Sequence, residues 1–287
     1  MPTIAMTSVA EHDDPMTIHL CATCAVETDG AHPSELVCPI CADERQYRPK
    51  TGQRWTTVDE LRRAGHSLEW FEVEHGLTGM ISKPGVGIGQ QTMIVSTDQG
   101  NLLWDPPGLI TNEAVDHVRR LGRTVAIAAS HPHMFGVQLA WADVLKAPVL
   151  VNAKDAEWLQ KQGGAIELWS GERTITSTIR LLELGGHFPG SSVALWSAGA
   201  GGQGVLLAGD TIFANPDGTA SFMRSYPNRI PLSGAVVQRL AAATDQLEFD
   251  RLYNNFGGII EHDARAMVRF SADRHAAWVS GDFDHLT

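Results

Sequence analysis

The chain has 287 residues, 43% of them hydrophobic, which is enough to bury a full core in one large domain with a small appendage. Its formal net charge is −11 and it has no Lys/Arg-rich run, so nucleic acid is not an expected partner: little is present to release phosphate counterions. The longest apolar runs, such as "TVAIAA" and "GVLLAG", fall far short of a bilayer span, so no membrane insertion is expected either.

Residues 1–16 lack a positive start followed by an apolar stretch, so they do not read as a secretory signal; a flexible tail is expected. The four cysteines all precede residue 42 and form a local cluster, not a disulfide framework spanning the chain, which fits a reducing cytoplasm. Cys21, Cys24, Cys38 and Cys41 are spaced C-x2-C-x13-C-x2-C, two knuckles a hairpin's length apart. Tetrahedral Zn2+ takes four thiolates at about 2.3 Å, and in so short a segment metal ligation replaces the core it cannot build. The shell is closed, so the expected role is structural, with protein contact as a further use. This zinc-ribbon-like module is expected over 17–50 and a linker over 51–66, where Thr57 caps a short helix, "VDELRRAG", that Gly65 stops.

From residue 67 to 287 strand-like and helical stretches alternate. "LEWFEVEHGL", "TGMISKPGVGIGQQTMIVST" and "GNLLWDPP" read as strands, and "TNEAVDHVRRLG", with Thr111 as N-cap and a glycine stop, reads as a helix. A buried strand, "TVAIAAS", follows, then a helix in "FGVQLAWADVL", a strand in "APVLVN" and a helix in "AKDAEWLQKQGG". In the second half, "TIRLLELGG", "SVALWSAG" and "GVLLAGDTIF" read as strands, "LSGAVVQRLAAATDQL" as a helix, "FDRLYNNFGG" as a strand and "DARAMVRFSADRHAAWVSG" as a closing helix. This order predicts an α/β fold, an αββα sandwich of two mixed sheets covered by helices.

The histidines fall at strand ends. His131 and His133 in "SHPHMFG" alternate by two after an apolar strand, which points both rings to one side. His187 lies in the glycine-flanked turn "GGHFPGSSV", and Asp210 ends the apolar strand "GVLLAGD", where a carboxylate needs a partner. Neutral imidazoles suit Zn2+ and iron alike. The loop beyond Asp210 is long, and its polar residues Arg224, Tyr226 and Asn228 are candidate substrate contacts.

Taken in order, "SHPHMFG", "GGHFPGSSV" and "LLAGDTIF" resemble the HxHxDH, GHTPGS and GD motifs of the metallo-β-lactamase fold, and "NLLWDPPG" stands where that family has a strand ending in aspartate and glycine. The resemblance implies that His131, His133, His187 and Asp210 are metal ligands, with Asp210 also catalytic. In the family the Asp-His pair of HxHxDH serves a second ion; here those positions hold Phe135 and Gly136, which cannot ligate. The family's last histidine is replaced by Gly257 and Gly258, with His262 four residues beyond as a substitute ligand or part of the final helix start. The resemblance therefore implies one metal, with Phe135 walling the vacated side.

Three functions fit these residues. One is a metallohydrolase-like enzyme in which a single zinc activates water against an ester, lactone, amide or phosphoester. Another is a degenerate member of the fold that binds a small molecule or a protein, using the ribbon as an interaction module. Redox chemistry at a lone iron is a third.

Overall fold

Segments "TMIV" and "NLLW" are unbroken apolar runs, and such runs belong to strands covered on both faces. In the computed structural model, which describes residues 17–32 and 35–287, they lie at the centre of a sheet. The tail expected over 1–16 lies outside the described residues. Near the N-terminus, β1 (His19–Cys21) pairs with β2 (Glu27–Thr28) and with β3 (Trp55–Thr57), so the small module takes its third strand from the segment expected as linker. The expected helix follows directly over Val58–Arg63, with Thr57 and Glu60 forming a reciprocal capping box.

The first large sheet comprises β4 (Ser67–Glu74), β5 (Leu77–Lys83), β6 (Thr92–Val95), β7 (Asn101–Trp104), β8 (Thr124–Ala128), β9 (Val149–Asn152) and β10 (Ile166–Trp169) in simple succession. It is antiparallel as far as β7 and parallel from β7 to β10, with crossovers through the helices Asn112–Leu121 and Gln138–Leu145. The second sheet contains β11 (Glu172–Thr174), β12 (Ile179–Glu183), β13 (Ser192–Trp196) and β14 (Val205–Leu207). Next come two small hairpins, β15 (Phe213–Ala214) with β16 (Ala220–Ser221) and β17 (Met223–Ser225) with β18 (Ile230–Pro231). Strands β19 (Arg251–Tyr253) and β20 (Ile259–Ile260) then complete the second sheet.

Alternation along the strands sorts side chains into three layers. Leu102, Trp104, Met93 and Val95 face Leu181, Trp196, Leu207 and Tyr253 of the other sheet, whereas Leu103, Ile94, Ile127 and Val149 point outward beneath the first pair of helices. On the far side, Leu195, Leu206 and Leu252 pack under the helices Gly234–Thr244 and Ala264–Ser280. This is the αββα sandwich the periodicity predicts.

One expected helix does not form. "AKDAEWLQKQGG" makes only a 3-10 turn over Ala153–Trp158, because its side chains are used elsewhere: Asp155 accepts from Gly190 N at 2.7 Å, and Trp158 packs edge-on against Phe188. The strand expected over "FDRLYNNFGG" stops at Tyr253, since Asn254 Oδ1 accepts from Phe256 N and Gly258 N and turns the chain.

The cysteine module is not a loose appendage. Its cysteines share one buried cluster with Val86, Leu109, Ile110, Phe135 and Val137 of the large domain. Ala25 fits into space left by two glycines: a Cβ on Gly108 would lie 2.2 Å, and one on Gly87 2.6 Å, from the Ala25 methyl. Glu27 N donates to Gly136 O at 3.0 Å, and its carboxylate, buried with Lys161 at 3.1 Å, accepts from Leu139 N.

Candidate metal centre

Strand β8 ends at Ala128, and the chain then leaves the sheet. His131 is extended, and His133 lies inside a 3-10 turn, Pro132–Met134. Their rings come together, with centroids 5.0 Å apart, through this turn and not through strand alternation as the spacing suggests. His187 arrives on the loop between β12 and β13, after Gly185 (φ +71) and Gly186 (φ +91). Asp210 follows β14 after Gly209 (φ +52), where any Cβ would lie 2.4 Å from Ser130 Oγ, so a close backbone approach brings the carboxylate to the histidines.

One ligand atom from each of His131, His133, His187 and Asp210 lies within 4.8 Å of all the others, and all four residues are buried. Asp210 Oδ2 is 3.6 Å from His131 Nε2 and 3.9 Å from His187 Nε2. Nε2 of all three histidines and Oδ1 of Asp210 are buried without a hydrogen-bond partner. Four polar atoms buried without partners in one cluster of side chains are costly unless something joins them. The ring tautomer of His187 is set by its surroundings: Nδ1 lies 3.0 Å from Met223 O, a carbonyl that only accepts, so Nδ1 carries the proton and Nε2 offers its lone pair. Ser130 Oγ holds His131 Nδ1 at 2.9 Å.

Electrostatics support a cation here. Burial pushes the imidazoles of His131 and His133 well below their usual range and that of His187 to about 4, so all three are neutral ligands at pH 7. Burial, reinforced by the Asp105 carboxylate, pushes Asp210 up to about 8; burial lifts Asp105 to about 7. Among the described residues neither carboxylate pairs with a lysine or arginine. One buried carboxyl group, that of Asp210, beside three neutral imidazoles makes a donor set that fits a divalent metal. The four cysteines form a second such set, with all their sulfurs within 4.8 Å of one another and buried.

The second-metal positions are closed. A Cβ on Gly136 (φ +52) would lie 2.2 Å from Pro106 O, and one on Gly258 2.6 Å from Ala214 O. Phe135 does not wall the centre; it joins the outer core beneath the cysteine module. The aromatic wall is Phe188, whose ring centroid is 5.7, 4.9 and 5.3 Å from those of His131, His133 and His187. His262 is exposed beside Asp250 at the start of the last helix and is not part of the cluster.

Of the candidate substrate contacts, Tyr226 lies against the centre, its ring centroid 5.9 Å from that of His187 and its hydroxyl donating to Asp210 O at 3.0 Å. Arg224 and Asn228 turn to the cysteine module: Arg224 pairs with Glu44, and Asn228 Nδ2 donates to Glu44 O at 2.8 Å and Gln46 O at 3.0 Å. Sequence reasoning missed Asp105, which accepts from Ser130 N at 2.6 Å and from Asn255 Nδ2 at 3.3 Å, and Arg45, which donates to His187 O. The aspartate of "NLLWDPPG" was the available signal for the first; nothing marks the second.

The sandwich and the histidines at its strand ends define a protein of the metallo-β-lactamase fold. Among solved structures the chain is similar to the metallo-β-lactamases DIM-1 (TM-score 0.57, 15% identity, 74% of this chain and 98% of that one), TMB-1 (0.56, 15%, 72% and 98%) and VMB-1 (0.54, 12%, 74% and 98%). It is also 36% identical over 274 residues to the uncharacterized protein YmaE of Bacillus subtilis (strain 168), covering 94% of this chain and 100% of that protein. The chain belongs to the family of YmaE. No family model matches it. No helix among the described residues is long and apolar enough to cross a membrane.

Proposed function

We propose that this protein is a metal-dependent hydrolase with one catalytic ion, held by His131, His133, His187 and Asp210, and a structural zinc on Cys21, Cys24, Cys38 and Cys41. The observation that carries the reading is a buried cluster in which one ligand atom from each of three histidines and Asp210 lies within 4.8 Å of the others while all three Nε2 atoms lack a hydrogen-bond partner. Zinc bound there supplies Lewis acidity toward water or toward the carbonyl or phosphoryl oxygen of an ester, lactone, amide or phosphoester. The chain's own groups do the rest. Met223 O fixes the His187 ring, Ser130 anchors that of His131, and Phe188 excludes water from one side. Tyr226 holds the main chain of Asp210 in place. Its ring packs on Phe213, which lines a neighbouring cleft of about 680 Å³ with Asn215, Phe256 and His262.

A second reading has its own support. The four ligand residues are at most 5% exposed, as expected of a metal that only ties strands together in a binding protein.

Metal content separates the readings. The wild type is expected to hold two zinc ions per chain and the His131→Ala/His187→Ala variant one; one in both overturns the metal centre, and iron in place of the second zinc redirects it to redox chemistry. With both sites filled, hydrolysis within a panel of esters, lactones and phosphodiesters that is lost in the double variant supports the enzyme. No turnover across the panel supports the binding protein.

A further inference from the structure

The loop carrying His187 has two positive-φ glycines immediately before the ligand and therefore little stiffness of its own. Its ring is fixed by Met223 O, and the N–H of the peptide that follows it donates to Ser191 Oγ at 2.8 Å, but the carbonyl of that peptide is held by the cysteine module. Arg45, four residues beyond Cys41, donates from Nε to His187 O at 2.7 Å, and its guanidinium lies 4.3 Å from the centroid of Phe188, the ring that touches all three histidines. Arg45 is 8% exposed, and Asp43 pairs with it at 2.8 Å, so its charge is offset and it acts as a donor and a flat plate.

The same turn of the cysteine module is fastened to the segment that follows Asp210. Ser225 Oγ donates to Arg45 O at 3.1 Å, Asn228 bonds the carbonyls on either side, and Ser225 is two residues from Met223, whose carbonyl orients His187. The other face of the module meets the chain after His133 through Glu27 and Gly136. The loops that carry His133 and His187, and the hairpin that holds the His187 ring, are thus all bonded to the cysteine module.

We propose that Arg45 is a positioning residue for the histidine centre: the folded cysteine module delivers it to the His187 loop, where it holds the one carbonyl of that ligand and the face of Phe188, and so completes the geometry of the ligand. This rests on the metal-centre reading above. It also gives the module a task inside its own chain.

The test uses full-length Arg45→Met and Arg45→Lys, with Arg62→Ala as a variant that loosens the N-terminal segment from the large domain at Ile110, away from His187. Each is titrated with Co2+, whose thiolate charge-transfer absorption reports the cysteine site and whose weaker visible bands report the histidine site. Both Arg45 variants should keep the charge-transfer absorption and bind cobalt at the histidines roughly tenfold more weakly, with altered visible bands. Arg62→Ala should match the wild type. Unchanged visible bands and affinity in Arg45→Lys, or in Arg45→Met where it folds, overturn the role of Arg45, as does an equal loss in Arg62→Ala. A wild-type chain that takes cobalt only at its thiolates overturns the metal-centre reading itself, and this inference with it.

Discussion

Gly136 sits directly beneath the carbonyl of Pro106: a Cβ on Gly136 would lie 2.2 Å from that oxygen and 2.7 Å from Pro107 O. In the motif the chain resembles, this position carries a histidine for a second metal. Here the backbone of the "DPPG" turn fills the space and Glu27 of the cysteine module donates to Gly136 O, so the site is occupied by protein. Gly136→Ala is expected to destabilise the fold by at least about 2 kcal/mol, from the positive φ and from contact with backbone that cannot yield. Denaturant midpoints measure this. A Phe135→Asp/Gly136→His chain is expected to gain no third metal; a third ion on elemental analysis would show that the turn can open.

Asp210 makes a prediction in which stability and metal binding move in opposite directions. In the metal-free protein its carboxyl titrates near 8 instead of 3.8, so the folded state keeps a proton that the unfolded chain has released. Stability therefore falls as pH rises through that interval. Asp210→Asn removes the cost, and the metal-free variant should be the more stable protein at pH 8 by more than about 2 kcal/mol, with the gap closing toward pH 4. Saturating zinc should reverse the order, because only the wild type offers the carboxylate ligand. Melting curves at both pH values, with and without zinc, decide it.

What the sequence made legible, and what it left out, follows the range of the interactions. Strand parity in "NLLW" and the Thr111 and Thr57 caps are local, and they predict the sandwich layers and two helices that form. The histidines could be gathered because each follows its own apolar strand or glycine turn. Phe188 could not be told from any other aromatic residue, since its role depends on rings brought from 55 and 57 residues away in the chain. Arg45 lies 142 residues from the carbonyl it holds, and no periodicity reports such a contact. The helix expected over 153–164 failed for the same reason: Asp155 and Trp158 are helix-compatible residues claimed by distant partners.

Because the cysteines share a cluster with Leu109, Ile110 and Phe135, the module and the large domain should not melt separately. Cys41→Ala removes one thiolate and with it the closed shell. A single unfolding transition is expected, at a stability lower by more than about 3 kcal/mol, together with dye-detected exposure of the apolar face under the module. Two resolved transitions, with the later one at the wild-type midpoint, would mean that the two cores are energetically independent.

Asp155 gives a second pH dependence, away from the metal. Its carboxyl is 2% exposed, accepts from Gly190 N at 2.7 Å, and is raised by burial from 3.8 to about 6. The contribution of the protonated group is fully present below the unfolded value and is lost as pH climbs through the folded one, so above about pH 6 the native state carries a buried charge. An asparagine at 155 keeps an oxygen for Gly190 N and never ionises. Asp155→Asn should therefore be more stable than the wild type at pH 7.5 by on the order of 2–3 kcal/mol, with the difference shrinking toward pH 4. Zinc-saturated urea titrations at the two pH values measure it. The same gain at both would assign the effect to packing around Gly190, where a Cβ would meet Asn152 and Asp155 at 2.7 Å, and not to ionisation.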